Sequence, residues 1–167
     1  MYYFYFDASA LVKRYTVEIG SDKVDFLFAN VPLNRLVCLN FGAAEVFWIC
    51  VRKRNDRRIN FHEFTQATGH LNREVIADDS DLTTLPAHKL LVCESMNLIE
   101  TYAINSVDAI VLRSALDLAT YLRNVGDELV LVASDQRLLR AARAEGLLCF
   151  NPETDSQQAL TARLNTS

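Results

Sequence analysis

The sequence predicts an α/β protein in three layers, with helices covering both faces of a mainly parallel central sheet of four to five strands. Short apolar runs at residues 2–6, 36–39 and 129–133 are typical of buried strands, and longer amphipathic segments separate them. A weaker run at residues 82–85 and a final one at 147–150 complete the expected strands. Because strands alternate with helices along the chain, the strands are expected to pair in parallel.

Local signals predict the helices of the first half. A short helix is expected from Ser9 to about residue 15, and another begins at Ser21, where apolar residues recur on one face. The segment from 41 to about 54 is apolar around most of its circumference, so we expect it to be well buried. Asn60 is expected to cap a helix that reaches about residue 76. The apolar side of that helix carries Phe61, Phe64, Leu71 and Val75.

The second half continues the alternation of helices and strands. Pro86 suits the first turn of a helix that reaches about residue 103. Ser106 is expected to cap the next helix, from 107 to about 123. A last helix, from about 136 to 145, stops at Gly146 and leads into the final strand.

Length and composition indicate one domain over residues 1–150, followed by a polar C-terminal tail over 151–167 that we expect to fray. The formal net charge of −4 argues against binding nucleic acid through bulk positive charge alone, but it allows local basic patches. The four cysteines form no CxxC pair and the three histidines lack metal-ligand spacing. With no signal peptide and no apolar stretch long enough to span a bilayer, we expect a cytoplasmic protein.

Two of the expected strands are followed by a carboxylate. Asp7 ends the first apolar run, and Asp135 follows the run at residues 129–133. In an open parallel sheet, ligands bind beyond the carboxyl ends of the strands. Two such ends that each carry a carboxylate predict a shared acidic site.

Two further acids add to this prediction. Glu45 lies among apolar residues of its helix, where an isolated charge is costly unless it is paired or bound to a metal. Asp108 lies in the first turn of its helix, where the helix dipole favours negative charge. Each acid alone also has a structural explanation. Asp7 and Asp135 can cap helices. Asp108 can interact favourably with the dipole of its helix, and Glu45 can pair with an arginine.

Three stretches resemble the acidic motifs of PIN-domain proteins, in particular the VapC-type toxins of bacterial toxin–antitoxin pairs. Residues 5–15 (YFDASALVKRY) are similar to the first motif, 106–110 (SVDAI) to the third and 132–142 (VASDQRLLRAA) to the fourth. Glu45 falls where the family carries its helical glutamate. The resemblance covers about residues 2–150.

The chain departs from the family pattern at two places. Residues 111–113 (VLR) stand where a histidine-containing helix often follows the third motif, and residues 40–42 (NFG) stand where a serine or threonine is frequent. Neither departure removes one of the four acids, so the implied chemistry is retained.

The resemblance implies a PIN-like fold and a Mg²⁺- or Mn²⁺-dependent endoribonuclease whose products carry a 5′-phosphate and a 3′-hydroxyl. It assigns the catalytic and metal-binding roles to Asp7, Glu45, Asp108 and Asp135. Hard divalent cations prefer such oxygen ligands and relieve the repulsion between carboxylates. Ser9 and Ser134 would orient the carboxylates from a second layer, with helix capping as the alternative for each serine.

An RNA substrate requires positive charge around the acids. The candidates beside the acidic motifs are Lys13, Arg14, Arg113, Arg137 and Arg140, and the basic segment 52–58 is a further patch. The family also implies a homodimer and a cognate antitoxin, which inserts a segment into a groove partly lined by the helical hairpin of 41–54 and 60–76.

Other functional classes stay open. A non-catalytic PIN-like module would use its acids only to hold a metal or a partner's arginine, and a PIN-domain nuclease can also serve a housekeeping role. A receiver-type phosphoacceptor domain likewise places aspartates at strand ends, but it expects a lysine after a late strand where this chain has Ser134 and Asp135.

Overall fold

The computed structural model describes residues 1–165 and contains a five-stranded parallel sheet. The predicted parallel sheet is therefore confirmed. Its strands are β1 (Tyr2–Phe6), β2 (Leu36–Leu39), β3 (Thr83–Leu85), β4 (Glu128–Val132) and β5 (Leu148–Phe150), in the order β3-β2-β1-β4-β5.

Helices connect these strands. A 3₁₀ turn at Val12–Arg14 continues the first helix, a second at Leu33–Arg35 precedes β2, and a π-helical turn at Asn72–Ile76 extends the fourth helix. The helices are α1 (Ala8–Leu11), α2 (Ser21–Asn30), α3 (Gly42–Asn55), α4 (Phe61–Leu71), α5 (Lys89–Tyr102), α6 (Ser106–Asn124), α7 (Gln136–Ala144) and α8 (Gln157–Asn165).

Side chains alternate along each strand and so divide the core into two halves. Phe4 and Phe6 of β1 pack against α1, α2, α3, α4 and α8 on one face of the sheet. Tyr5 packs against α5, α6 and α7 on the opposite face. The sheet is therefore covered on both faces, which confirms the predicted three-layer α/β/α fold.

The strand order creates a crevice between β1 and β4. From β1 the chain moves outward through β2 and β3, and then returns to place β4 and β5 on the other side. Such a reversal is where open α/β sheets bind ligands, beyond the carboxyl ends of the strands. Phe6 is in register with Val132, and the Asp7 N–H donates to the Val132 carbonyl at 3.0 Å. The segments that follow β1 and β4 therefore begin side by side, at the same edge of the sheet.

Two expectations about the α3–α4 hairpin are wrong, because three of its aromatic side chains are exposed. The predicted burial of α3 is wrong, because Phe47 is 45% and Trp48 is 58% exposed. Phe61, expected on the apolar side of α4, is 72% exposed. Only one stripe of α3 reaches the core, and the helix faces that carry these aromatics point away from the sheet. The buried apolar residues of that stripe are Ala43, Val46 and Cys50.

Two helices begin differently from the prediction. The helix expected at Pro86 begins at Lys89, because the His88 imidazole Nδ1 accepts from the Leu91 N–H at 3.1 Å. Ser106 is the first residue of α6 and not its cap. Asn105 takes that role, since an asparagine side-chain oxygen reaches the N–H three residues on as well as a serine does.

The expectation that the C-terminal segment frays is wrong. It forms α8, and Leu160 of this helix is fully buried in the core half that contains Phe4. The connection to α8 is tight, because a Cβ at Gly20, which has φ of +88°, would lie 2.4 Å from the Pro152 carbonyl oxygen. Lys23 Nζ also donates to that oxygen at 2.7 Å. The segment up to residue 165 therefore belongs to the folded domain.

The remaining expectations concern cysteines and membrane segments. Cys38 and Cys50 are buried, Cys149 is half-buried and Cys93 is exposed, and all four are free thiols. Among residues 1–165, no helix has the length and apolar character needed to cross a membrane.

Candidate functional site

Asp7 lies directly after β1 and is buried. It caps α1, and its Oδ2 accepts hydrogen bonds from the Ser9 N–H at 2.9 Å and from the Ser9 hydroxyl at 2.5 Å. The Ser9 Oγ in turn accepts from the Ser134 N–H at 2.9 Å. One serine therefore connects the carboxylate after β1 to the backbone that follows β4.

Asp135 caps α7 on the other side of the crevice. Its Oδ1 accepts from the N–H groups of Arg137 at 2.7 Å and Leu138 at 3.1 Å. The structural explanation for Asp7 and Asp135 is thus correct, since both cap helices. Capping leaves their negative charge in the crevice, so it does not exclude a second role.

Glu45 projects from the first turn of α3. Its Oε2 is buried and has no hydrogen-bond partner, and no arginine of residues 1–165 forms an ion pair with it. Burial raises the pKa of Glu45 to about 7, and the negative charges of Asp7 and Asp108 contribute to this increase. The alternative of a simple Glu–Arg pair is therefore not what the structure has.

Asp108 is buried in the first turn of α6. Asn105 holds it twice, because Asn105 Oδ1 accepts from the Asp108 N–H at 2.9 Å and Asn105 Nδ2 donates to Asp108 Oδ2 at 2.8 Å. Burial raises the pKa of Asp108 to about 6, with further contributions from Asp7 and Asp135. The bond from Asn105 and the charge of Arg137 act in the opposite direction.

These four acids converge on the crevice and form what we call the carboxylate site: Asp7, Glu45, Asp108 and Asp135. Burial raises the pKa of Asp7, the hydrogen bonds from Ser9 oppose the increase, and the charge of Asp135 adds to it. Asp7 acts in the same way on Glu45 and Asp108. Acids from four separate parts of the chain therefore lie close enough to repel one another.

The chemistry of the carboxylate site fits a hard divalent cation, because carboxylate oxygens are the preferred ligands of Mg²⁺ and Mn²⁺. The unpartnered Oε2 of Glu45 marks a position where such a charge would be stabilising. Within residues 1–165, however, no three His, Cys, Asp or Glu side chains form a ready ligand set. Asp7, Asp108 and Asp135 each turn an oxygen toward a neutral donor of their own segment. They would have to rotate toward one another to share a cation.

The comparisons with known proteins support the fold. The crystal structure of PAE2754 from Pyrobaculum aerophilum is similar to this protein, with a TM-score of 0.58 at 19% sequence identity. The alignment covers 99% of this chain and 96% of that chain, so the likeness extends over the whole fold. No family model and no curated protein matches the sequence. At this identity the structural likeness shows a shared fold alone.

The two serines predicted to orient the carboxylates differ in their contacts. Ser9 donates to Asp7, as a residue with that role would. The Ser134 hydroxyl is buried with no partner, and only its backbone N–H contributes, through Ser9. In this structure Ser9 therefore has the predicted contact and Ser134 does not.

Lys13 and Arg14, predicted to contact RNA, are already engaged within the protein. Lys13 is buried, and its Nζ lies 2.7 Å from an oxygen of Glu153 and 3.1 Å from one of Glu18. Arg14 pairs with Asp25 at 2.8 Å and with Glu74 at 2.9 Å. Neither cation offers free positive charge at the surface, so an anionic ligand would have to displace a carboxylate of the protein to reach either of them.

The other predicted cations differ in exposure, and Arg113 is half-buried like Arg14. Arg113 pairs with Asp117 on its own helix. Arg137 and Arg140 are exposed on α7, and neither forms an ion pair with a residue between 1 and 165. Together with Tyr102 they line a cleft of about 480 Å³, and the charge of Arg137 reaches Asp108. These two arginines are the predicted cations best placed to meet an anionic ligand.

Two residues at the site were not predicted from the sequence. Asn105 positions Asp108, and Lys53 is a buried lysine on α3 whose Nζ donates to Thr16 Oγ1 at 2.5 Å. The sequence carries no signal for Lys53, because the buried stripe that it continues, at positions 43, 46 and 50, is defined only by the packing of the helix. A charged residue at a core position of a helix requires a buried partner, and Glu18 supplies it.

Proposed function

We propose that this protein is a Mg²⁺- or Mn²⁺-dependent endoribonuclease of the PIN-domain type. The observation that carries the proposal is the carboxylate site, in which four acids converge beyond the ends of β1 and β4. Structural acids usually find cationic partners, whereas here burial and mutual repulsion raise the pKa of Asp7, Glu45 and Asp108. The motifs around Asp7, Asp108 and Asp135 support the family assignment.

A cation held by Asp7, Glu45, Asp108 and Asp135 would lower the pKa of a bound water and neutralise charge on the phosphate. Ser9 would keep the Asp7 carboxylate in place, and Asn105 would do the same for Asp108. Attack of the water on phosphorus breaks the bond to the 3′ oxygen, leaving a 5′-phosphate and a 3′-hydroxyl. The proton released by the water would pass to solvent, because a Glu45 carboxylate that binds the cation stays deprotonated.

We extend the proposal to the biological setting that the motifs suggest, a cytoplasmic toxin of a type II toxin–antitoxin pair. Its partners would be an RNA substrate, a cognate antitoxin and a second copy of the chain. The exposed aromatic residues of the α3–α4 hairpin support a protein partner on that side, because large exposed apolar side chains in one region often mark interaction surfaces. They are Phe47, Trp48 and Phe61.

Cleavage of a structured RNA by the purified protein tests the enzymatic part. We expect cleavage with Mg²⁺ or Mn²⁺, none with EDTA, and loss of activity in Asp7→Asn and Asp108→Asn. Asp79→Asn is the matched control, because it removes one negative charge from an exposed loop outside the site. Equal activity in EDTA, or full activity in both site variants, would contradict the proposal.

A non-catalytic module that holds a metal or a partner's arginine is the second candidate. The observation that favours it is the lack of a ready ligand set among residues 1–165. Binding of Mn²⁺ without any cleavage of RNA would support it over the nuclease. A reading frame for a small DNA-binding antitoxin next to this gene would separate a toxin from a housekeeping nuclease.

A further inference from the structure

A cleft of about 390 Å³ opens beside the carboxylate site. Ser9, Ser134 and Asp135 line one end of it, so the cleft is continuous with the carboxylate site. We call it the lysine cleft, after two lysines in its lining. The cationic residues that line it are Lys13, Arg52, Lys53 and Arg58.

The two lysines are buried and share one carboxylate. Glu18 places Oε2 3.1 Å from Lys13 Nζ and forms an ion pair with Lys53 through Oε1. Lys13 has a second partner in Glu153, and Lys53 donates to Thr16. A single anionic group, with its two oxygens directed at two different ammonium groups, therefore occupies the floor of the cleft.

The cationic groups of Lys53, Lys13 and Arg58 lie close enough in the cleft to repel one another, although its lining holds as many anionic as cationic side chains. The pKa of Lys53 is lowered to about 8, mainly by burial and also by the charges of Arg58 and Lys13, while its ion pair with Glu18 acts in the opposite sense. A terminal phosphate carries more charge than one carboxylate and would relieve this repulsion more fully. An internal strand phosphate carries a single charge, as Glu18 does, but its oxygens can likewise accept from more than one donor.

The rim of the cleft carries free guanidinium groups. Arg52 and Arg58 are exposed, and neither has an ion-pair partner within residues 1–165. Asp56 lies near them, so the lining holds four cationic and four anionic side chains in all. One of the anionic side chains, Asp135, belongs to the carboxylate site, and another, Glu18, is the group that a ligand could replace.

Glu18 reaches the two lysines through its side chain alone, so displacing it requires a side-chain rotation and no movement of its backbone. The surrounding loop joins the 3₁₀ turn after α1 to α2, and Val17 beside Glu18 is 98% exposed. Ile19 on its other side is also exposed, so neither neighbour buries Glu18. The Glu18 backbone is held by Ser21, because the Glu18 N–H donates to Ser21 Oγ at 2.9 Å and the Ser21 N–H donates to the Glu18 carbonyl at 3.1 Å.

We propose that the lysine cleft is a phosphate subsite for the nucleic-acid strand, and that Glu18 occupies its anion position in the free protein. The identity of the ligand as RNA rests on the proposed function. A strand phosphate entering the cleft would displace Glu18, accept from Lys13 and Lys53, and meet Arg52 and Arg58 at the rim. The neighbouring phosphate would then lie toward the carboxylate site.

Binding measured in EDTA tests the subsite without cleavage. The probes are inorganic phosphate and a single-stranded RNA oligomer with either a 5′-phosphate or a 5′-hydroxyl. We expect Arg58→Ala combined with Arg52→Ala to weaken oligomer binding by about 10-fold and to reduce the slope of log K against log salt by about 0.7 for each lost contact. Arg57→Asn is the matched control, because Arg57 lies in the same turn outside the cleft, at a positive φ that asparagine tolerates.

Glu18→Gln tests the displacement. Removing the internal anion should tighten inorganic phosphate binding by about 3- to 10-fold, since the neutral amide competes less for the lysines. Phosphate should also raise the melting temperature of Glu18→Gln more than that of the wild type, and Asp79→Asn should behave as the wild type does. If Glu18→Gln does not fold, the double variant of the exposed Arg52 and Arg58 still tests the subsite by itself.

The outcomes separate the subsite from the proposed function. Unchanged oligomer binding in the Arg52/Arg58 double variant would overturn the subsite, even if metal-dependent cleavage still requires Asp7. Weaker binding in that variant without cleavage under any metal would support the subsite and contradict the nuclease. Tighter binding of the 5′-phosphorylated oligomer would identify a terminal phosphate as the ligand, and equal binding of both oligomers would identify an internal one.

Discussion

The carboxylate site and the lysine cleft are adjacent, but the buried charges of the first lack partners of opposite charge and those of the second have them. In the carboxylate site, like charges repel and the pKa values of its acids rise. In the lysine cleft, Lys13 and Lys53 are each paired with a carboxylate of the same chain. The difference shows where this protein supplies its own counter-charge and where it does not. Removing a charge should therefore have opposite effects on stability in the two places.

The largest effect is expected on activity from Asp7→Asn. An asparagine oxygen can still accept from Ser9 and cap α1, but the charge that would hold a cation is lost. We expect cleavage to fall by at least about 100-fold. The metal-free variant should nevertheless melt at a higher temperature than the wild type at pH 8, because one source of repulsion is gone. Lower stability in Asp7→Asn would contradict the description of the carboxylate site as unrelieved charge.

In the lysine cleft the same kind of change should destabilise. Lys53→Met removes one partner of a buried ion pair and leaves Glu18 with Lys13 alone. We expect a loss of about 2–3 kcal/mol in the free energy of unfolding, measured by urea denaturation. The double variant Lys53→Met with Glu18→Gln should recover part of that loss, since no unpaired charge then remains. A double variant less stable than the sum of both single changes would argue against direct pairing.

Divalent cations should stabilise the native protein through the carboxylate site and not through the lysine cleft. Mn²⁺ at about 100 times its dissociation constant should add about 2.7 kcal/mol to the stability of the native state, seen as an increase in melting temperature. Asp108→Asn should reduce this increase, whereas Lys53→Met should leave it unchanged. An unchanged melting temperature with Mn²⁺ at millimolar concentration would contradict a metal site.

Stability should also depend on pH through the carboxylate site. Glu45 ordinarily titrates near 4.5 and does so at about 7 in the native protein, so between these values the native state binds more protons than the unfolded state. Stability of the metal-free protein should therefore fall as the pH rises from about 4.5 to 7. Glu45→Gln should flatten this dependence and raise the melting temperature at pH 8 but not at pH 4, which melting curves across the range can measure.

The smallest effect is expected at Asn105. Asn105→Ala removes the cap of α6 and both hydrogen bonds to Asp108, at a cost of about 1 kcal/mol in stability. Asn105→Ser keeps a capping oxygen but loses the donor to Asp108 Oδ2. If Asn105 positions the carboxylate, both variants should cleave RNA more slowly, while only Asn105→Ala should be less stable.

Much of the fold follows from local sequence patterns. The runs for β1, β2 and β4 predict their strands most clearly, because a strand covered on both faces needs apolar residues at nearly every position. The run for β3 is weaker, since this edge strand contains Thr83 and Thr84. The convergence of Asp7 and Asp135 could also be predicted, since both follow strands that end at the same edge of a parallel sheet. Asp108 and Glu45 required the resemblance to a family in addition to these patterns.

Other features depend on contacts that sequence patterns do not contain. A helix that is apolar all round has no preferred side, so the exposure of Phe47 and Trp48 on α3 could not be predicted. The pairing of Lys53 with Glu18 brings together residues from two distant segments. In the C-terminal segment, Leu160 and Leu164 among mainly polar residues form too short a pattern to predict α8, which packing onto the core stabilises.

Trp48, which is exposed on α3, is the only tryptophan in the chain. It lies three residues after Glu45, on the helix that also carries Lys53 into the cleft. Its intrinsic fluorescence therefore reports from a single known position close to both charged regions. Titrations with cations, oligonucleotides or a protein partner can be followed by this emission without an attached dye, and a partner that covers the α3–α4 hairpin should shift the spectrum to shorter wavelength.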